Sequence, residues 1–128
     1  MRWLPPGYQF SISCHGEWRA SADGIGKLIG VRLGSLPTTR NAIKLALRIA
    51  AFNAREFCST MRASHYYQPG QTPDPQANIL TWCGRRIWLG GSGHDSRYRI
   101  CNRCRQIEQD IEDEAERAGH LIVNGRIL

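Results

Sequence analysis

Three cysteines of this chain are spaced for metal chemistry. Cys101-Asn102-Arg103-Cys104 opens a polar stretch of helical character, and Cys83-Gly84 lies one short hairpin upstream. A Cys-x-x-Cys turn aims two thiolates at one point, and the free amides at the start of a helix stabilise negative sulfur. Zinc takes four such ligands in a tetrahedron, commonly as two pairs separated by a hairpin. The second pair is complete, whereas Leu80 stands three residues before Cys83, where a partner would be. The stretch reads as a zinc site with one ligand replaced. His94 is the nearest substitute and is taken as the fourth ligand, although a hairpin tip ordinarily points away from the metal. His120, His65, Cys58 and the Cys14-His15 pair are the other candidates. Without a metal, the same cysteines would be buried thiols packing as small apolar groups.

The elements that must position this site follow from local pattern. Residues 85–89 and 97–100 read as hairpin strands joined by Gly90-Gly91-Ser92-Gly93. The helix after them is expected over 102–118, with Cys104, Ile107, Ile111 and Ala115 on its inner stripe and Gly119 as its stop. Asn124-Gly125 between Leu121-Ile122-Val123 and Arg126-Ile127-Leu128 suits a two-residue hairpin turn.

The amino-terminal half has a different rhythm. Tyr8, Phe10 and Ile12 alternate with polar residues, as do Trp18, Ala20 and Ala22, then Ile29, Val31 and Leu33. Three antiparallel strands are expected. Gly34 to Thr39 breaks the pattern, and either Thr can cap a helix. That helix is expected over 39–63, because Ile43, Leu47, Ala50, Ala54, Phe57 and Met61 form one stripe that would cover the sheet. Leu45, Ile49 and Phe52 form a second apolar patch, to be covered by the carboxyl-terminal half or by another chain as a protein-binding surface. The fold class expected is therefore α+β: a three-stranded antiparallel sheet covered by one long helix, then a zinc-finger module with a terminal helix and hairpin. The division is 1–63, a Pro- and amide-rich linker over 64–78, and 79–128.

Charge is unevenly distributed. Residues 1–78 balance at +5, 79–105 at +5 and 106–128 at −4, and fifteen of the seventeen cations are Arg, the side chain best suited to forked contacts with phosphate. Arg40, Lys44, Arg48, Arg55 and Arg62 fall within an arc of roughly 80° on the expected long helix. Their counter-charge is either nucleic-acid phosphate or the acidic helix of the same chain, with Glu108, Asp110, Glu112, Asp113, Glu114 and Glu116. Arg85, Arg86, Arg97 and Arg99 decorate the finger hairpin beside Trp88 and Tyr98, a mixture suited to phosphate contact with base stacking. It suits protein recognition through Arg and Trp equally.

Cys83-Gly84-Arg85-Arg86-Ile87 with Cys101-Asn102-Arg103-Cys104 resembles the treble-clef finger of the DnaK-suppressor family of polymerase-binding regulators, which recurs in small phage and prophage proteins. The likeness covers 79–118 and lacks the long helical hairpin of those regulators, so it implies a finger fold and a bound zinc rather than their function. Residues 8–57, with Trp18-Arg19-Ala20, resemble the three-strand-plus-helix DNA-binding domains of tyrosine integrases and plant ethylene-response factors. His94-Asp95 and Asn102 invite comparison with histidine-Asn-histidine nucleases. The Asp-before-His order and the longer spacing of those enzymes are absent, and no nucleophile with an adjacent base is present, so catalysis is not expected.

Composition sets the remaining bounds. With 128 residues, 41% of them apolar, one compact domain or two small modules are expected. No apolar run approaches the roughly 20 residues of a membrane span. The Met1-Arg2-Trp3-Leu4-Pro5-Pro6 start has no leader-like apolar core, and five cysteines, an odd number, suit a reducing cytoplasm better than disulfides. The expectation is a small cytoplasmic, non-enzymatic zinc protein that binds nucleic acid through arginines. The alternative is a protein-binding inhibitor or adaptor whose acidic helix imitates nucleic acid.

Overall fold

A computed structural model describes residues 1–6, 8–12, 17–22, 28–35, 40–60, 62–71, 73–89 and 99–128. It is of α+β class, with small antiparallel sheets and two helices. The expected alternation forms β1 (Tyr8–Ile12), β2 (Glu17–Ala22) and β3 (Leu28–Ser35), antiparallel in the order β1-β2-β3. Phe10 stands opposite Ala20, and Arg19 opposite Arg32 with register shifts on either side.

The next helix, α1 (Arg40–Ala54), is shorter than the expected 39–63. Its last turn tightens where the Arg55 amide donates to the Phe52 carbonyl, which also accepts from the Arg55 guanidinium at 2.6 Å. Glu56–Ser59 then forms β4, paired antiparallel with β5 (Ser64–Tyr67) through a turn held by Thr60 and Ala63. Phe57, assigned by spacing to the helical stripe, instead faces Tyr66 across this hairpin with ring centroids 4.9 Å apart. Met61 lies outside the described residues. A helical count sees only neighbours within a turn or two, whereas a strand is chosen by its partner. Here the partner begins at Ser64, inside the segment expected to be a linker.

That segment is therefore corrected as well. Ser64, His65 and Tyr66 are buried, and β5 is bordered on two sides. Its Ser64 amide donates to Arg99, its Ser64 carbonyl accepts from Cys101, and its Tyr66 carbonyl accepts from Trp82. A strand with both backbone edges occupied cannot be a surface linker. The expected finger hairpin of 85–89 with 97–100 lies partly outside the described residues, which show a pairing on the other side of Cys83. β6 (Asn78–Leu80) pairs with β7 (Arg86–Trp88), so among the described residues 86–88 has a partner before it in the chain. Residues 90–98, with the expected Gly-rich turn and Arg97, lie outside the described residues.

α2 (Asn102–Arg117) buries Cys104, Ile107, Ile111 and Ala115, the stripe expected for it. It stops at Gly119, whose φ of 92° favours a residue without Cβ. β8 (Ile122–Val123) and β9 (Arg126–Ile127) close around Asn124 and Gly125, both at positive φ as the tight turn requires.

One core joins these parts: Phe52 from α1, Tyr66 from β5, Trp82, the α2 stripe and Ile127 from β9. The second apolar patch of α1 is thus answered within the chain. Phe52 is fully buried and Ile49 packs against the same cluster, with Leu45 half-buried. Asn53 fastens β9 to α1 by bonding both backbone groups of Ile127, at 2.8 and 2.9 Å. Among the described residues no helix is long and apolar enough to cross a membrane.

Candidate metal centre

β5 brings the site together. Its upstream end holds the backbone at Cys101, its downstream end holds the backbone at Trp82, and His65 lies between these two contacts. Cys83 therefore arrives from the turn between β6 and β7, Cys101 and Cys104 from the start of α2, and His65 from the strand bridging them. The ligand atoms of His65, Cys83, Cys101 and Cys104 all lie within 4.8 Å of one another, and this set can hold a metal ion.

The turn before Cys83 is tightly built. Thr81 exchanges backbone hydrogen bonds with Arg85 and Gly84, and its hydroxyl accepts from the Arg85 amide at 3.1 Å. That hydroxyl also lies 3.0 Å from Cys83 Sγ. Gly84 at φ 86° takes a conformation that side chains rarely adopt. On the other side, Cys101 is the N-cap of α2 and its sulfur accepts from the Cys104 amide at 3.3 Å. The sulfur does the work that a Ser or Asp oxygen usually does at a helix start.

His65 is the member that sequence spacing set aside. Its Nδ1 faces the sulfurs, 3.4 Å from Cys83 and 3.9 Å from Cys104. The fourth side chain at the cluster is thus His65; His94, chosen for that place from the sequence, lies outside the described residues. Leu80 does not leave the first pair short, because a neighbouring strand supplies the missing group. The available signal was a His inside Ser64-His65-Tyr66-Tyr67, a short β-prone run that reads as a strand once the long helix is given up.

Electrostatics favour ligation at His65 and Cys83. Burial and then the charge of Arg85 lower the His65 pKa, leaving the imidazole neutral as a metal requires. Burial opposes ionisation of Cys83, but hydrogen bonds from Thr81, the Arg85 amide and the neighbouring cysteines bring it below the ordinary thiol value. Burial drives the Cys104 thiol upward. A cluster of three sulfurs with a neutral imidazole at hand has the donors zinc prefers. Cys58 stands beside the centre without joining it: it pairs in register with His65 and is buried.

The expected basic stripe of α1 divides. The Arg48 guanidinium is buried, donating to the Glu114 carboxylate at 2.9 and 3.2 Å and to the carbonyls of Trp3 and Met1. Arg55 lies 3.3 Å from Glu108 and stacks 3.9 Å over the Phe52 ring. Of the two counter-charges open from sequence, the acidic helix takes these two arginines. Lys44 is half-buried and Arg62 exposed, while the side chain of Arg40 lies outside the described residues. Arg85, Arg86 and Arg99 are exposed around the centre, joined by Arg103 between the two α2 cysteines. Arg86 pairs with Asp74 at 3.1 Å. In comparisons with known proteins, no family model, no curated protein and no solved structure matches this chain.

Proposed function

We propose that this chain is a non-enzymatic, zinc-organised protein that binds nucleic acid through the arginines around its metal centre. The observation that carries the reading is the convergence of one His and three Cys, from three separate segments, to within 4.8 Å. Three thiols and an imidazole are the donor set of a structural zinc site, in which protein ligands fill all four positions and none is left for a substrate. The ion would replace chain cross-links that a small domain otherwise lacks. Placement of charge supports the nucleic-acid part. Among the described residues no ion pair holds Arg85, Arg99 or Arg103, and all three flank the metal ligands. The alternative of protein capture through Leu45, Ile49 and Phe52 has little support, since Phe52 and Ile49 serve the chain's own core.

Elemental analysis together with a salt scan tests the reading. One zinc per chain is expected, and retention of a labelled oligonucleotide should fall steeply with salt, log K declining by roughly 0.9 for each phosphate neutralised per decade. Replacing Arg85, Arg99 and Arg103 with Glu should abolish retention with zinc content unchanged. Sub-stoichiometric zinc, or a zinc-loaded protein that retains no nucleic acid at low salt, overturns it.

A further inference from the structure

The hairpin that carries Cys83 also presents an uncovered aromatic surface. Exposure along β7 alternates, with Arg86 and Trp88 outward and Ile87 buried. Trp88 is 58% exposed, although an indole is the side chain that gains most from burial. Two residues apart on one strand face, Arg86 and Trp88 stand about 7 Å from each other. Their partners across the hairpin are Leu80 and Asn78. Arg86 is steadied rather than buried: it donates to Asp74 Oδ2 at 3.1 Å while its own side chain stays more than half exposed. The other Asp74 oxygen is taken by the amides of Gln76 and Asn78 at 2.9 Å, so this carboxylate belongs to the hairpin and holds the guanidinium beside the indole.

We propose that this face binds single-stranded nucleic acid, with a base stacked on Trp88, its phosphate on Arg86, and the strand continuing toward Arg85 at the metal turn. The proposal rests on the nucleic-acid reading above and narrows it. An exposed indole has no use for a duplex, whose base faces are already stacked, whereas an unpaired base offers a free face to any flat π surface. The adjoining guanidiniums supply the backbone contact, and stacking tolerates any base, so sequence preference should be weak.

The test uses the full zinc-loaded chain with a labelled oligothymidylate and a duplex of equal length, read by fluorescence anisotropy at low salt. The single strand should bind more tightly, and Trp88→Ala should weaken it roughly 5- to 150-fold, the range of one base–aromatic stack. Trp88→Phe should recover most of that loss, and duplex binding should move little in either variant. Because Trp88 is exposed, zinc content and circular dichroism should be unchanged, which confirms the fold. If the wild type binds both forms and Trp88→Ala binds the single strand as tightly as wild type, this inference fails while the nucleic-acid reading stands. If the wild type binds neither form, both fail.

Discussion

His65 Nδ1 lies 3.4 Å from Cys83 Sγ, joining the middle of one strand to a turn 18 residues further along the chain. The contact arises because β5 is hydrogen-bonded to the backbone at Trp82 downstream and at Cys101 upstream. Any side chain on the inner face of β5 between those two points must meet the cysteines that follow them. Sequence position made His65 look remote, and sheet pairing makes it the fourth member of the cluster.

Replacing that imidazole should therefore cost the metal. Loss of groups that merely support a ligand lowers affinity by roughly 10- to 100-fold, and His65→Ala, which removes a ligand itself, should exceed that. A competition titration with a chromophoric chelator measures it. His94→Ala is the control and should hold zinc as the wild type does. Equal zinc affinity in His65→Ala would dismiss the assignment.

Arg48 and Glu114 join α1 to α2 from inside. Arg48 is 4% exposed, so its charge is tolerable only with its partners in place. Arg48→Ala should destabilise the zinc-loaded protein by about 3–5 kcal/mol, the cost of breaking a buried pair. Glu114→Gln should cost at least as much, because Arg48 keeps the carbonyls of Trp3 and Met1 but its buried charge loses its carboxylate. Urea midpoints for the single and double variants should give a coupling on the order of 1–3 kcal/mol. Reversal of both Arg48 and Arg55 to Glu should abolish the fold. A folded double-reversal protein with an unchanged midpoint would show that the stripe is solvated.

What could be read from sequence was whatever local spacing controls. The α2 stripe, the Asn124-Gly125 turn, the three amino-terminal strands and the convergence of Cys83 with Cys101 and Cys104 all rest on contacts between near neighbours or on a short motif. What could not be read depended on β5. The stripe through Phe57 and Met61 satisfied helical spacing, and only pairing of 56–59 with 64–67 argues otherwise. Read as helix and linker, the same residues leave His65 without the strand that carries it to the cysteines. Charge counting had offered two destinations for Arg48 and Arg55, and the choice needed the α1–α2 packing that no window of sequence contains.

Cys58 should make the fold sensitive to alkali. Burial, then the charges of Cys83 and Cys101, push its thiol from 9.0 up to about 11. The folded state thus holds this proton more tightly than the unfolded chain does. The associated stability is complete below pH 9 and is lost as pH rises toward 11, with a limiting slope of about 1.4 kcal/mol per pH unit. Cys58→Ala should flatten the decline of the urea midpoint over that window, whatever it does to stability at pH 7. An identical alkaline slope in the variant would place Cys58 in a more polar setting than the buried one described.

Thr81 offers the sharpest separation of packing from metal support. Its hydroxyl lies 3.0 Å from Cys83 Sγ and accepts from the Arg85 amide at 3.1 Å. Thr81 is fully buried, so Thr81→Val preserves shape and removes only the polar contact. The Arg85 amide would lose one of its two acceptors and keep Cys83, at a cost of about 0.5–1.5 kcal/mol. Cys83 would also lose a hydrogen bond that favours its thiolate, so zinc affinity should fall by roughly 10- to 100-fold. Thr81→Ser, which keeps the hydroxyl and loses a methyl, should retain zinc while giving up some packing. The two variants should thus move affinity and stability in different proportions, Val mainly the former and Ser mainly the latter. If Val and Ser lower stability alike and neither changes zinc affinity, the hydroxyl serves the turn alone and Cys83 is ionised without its help.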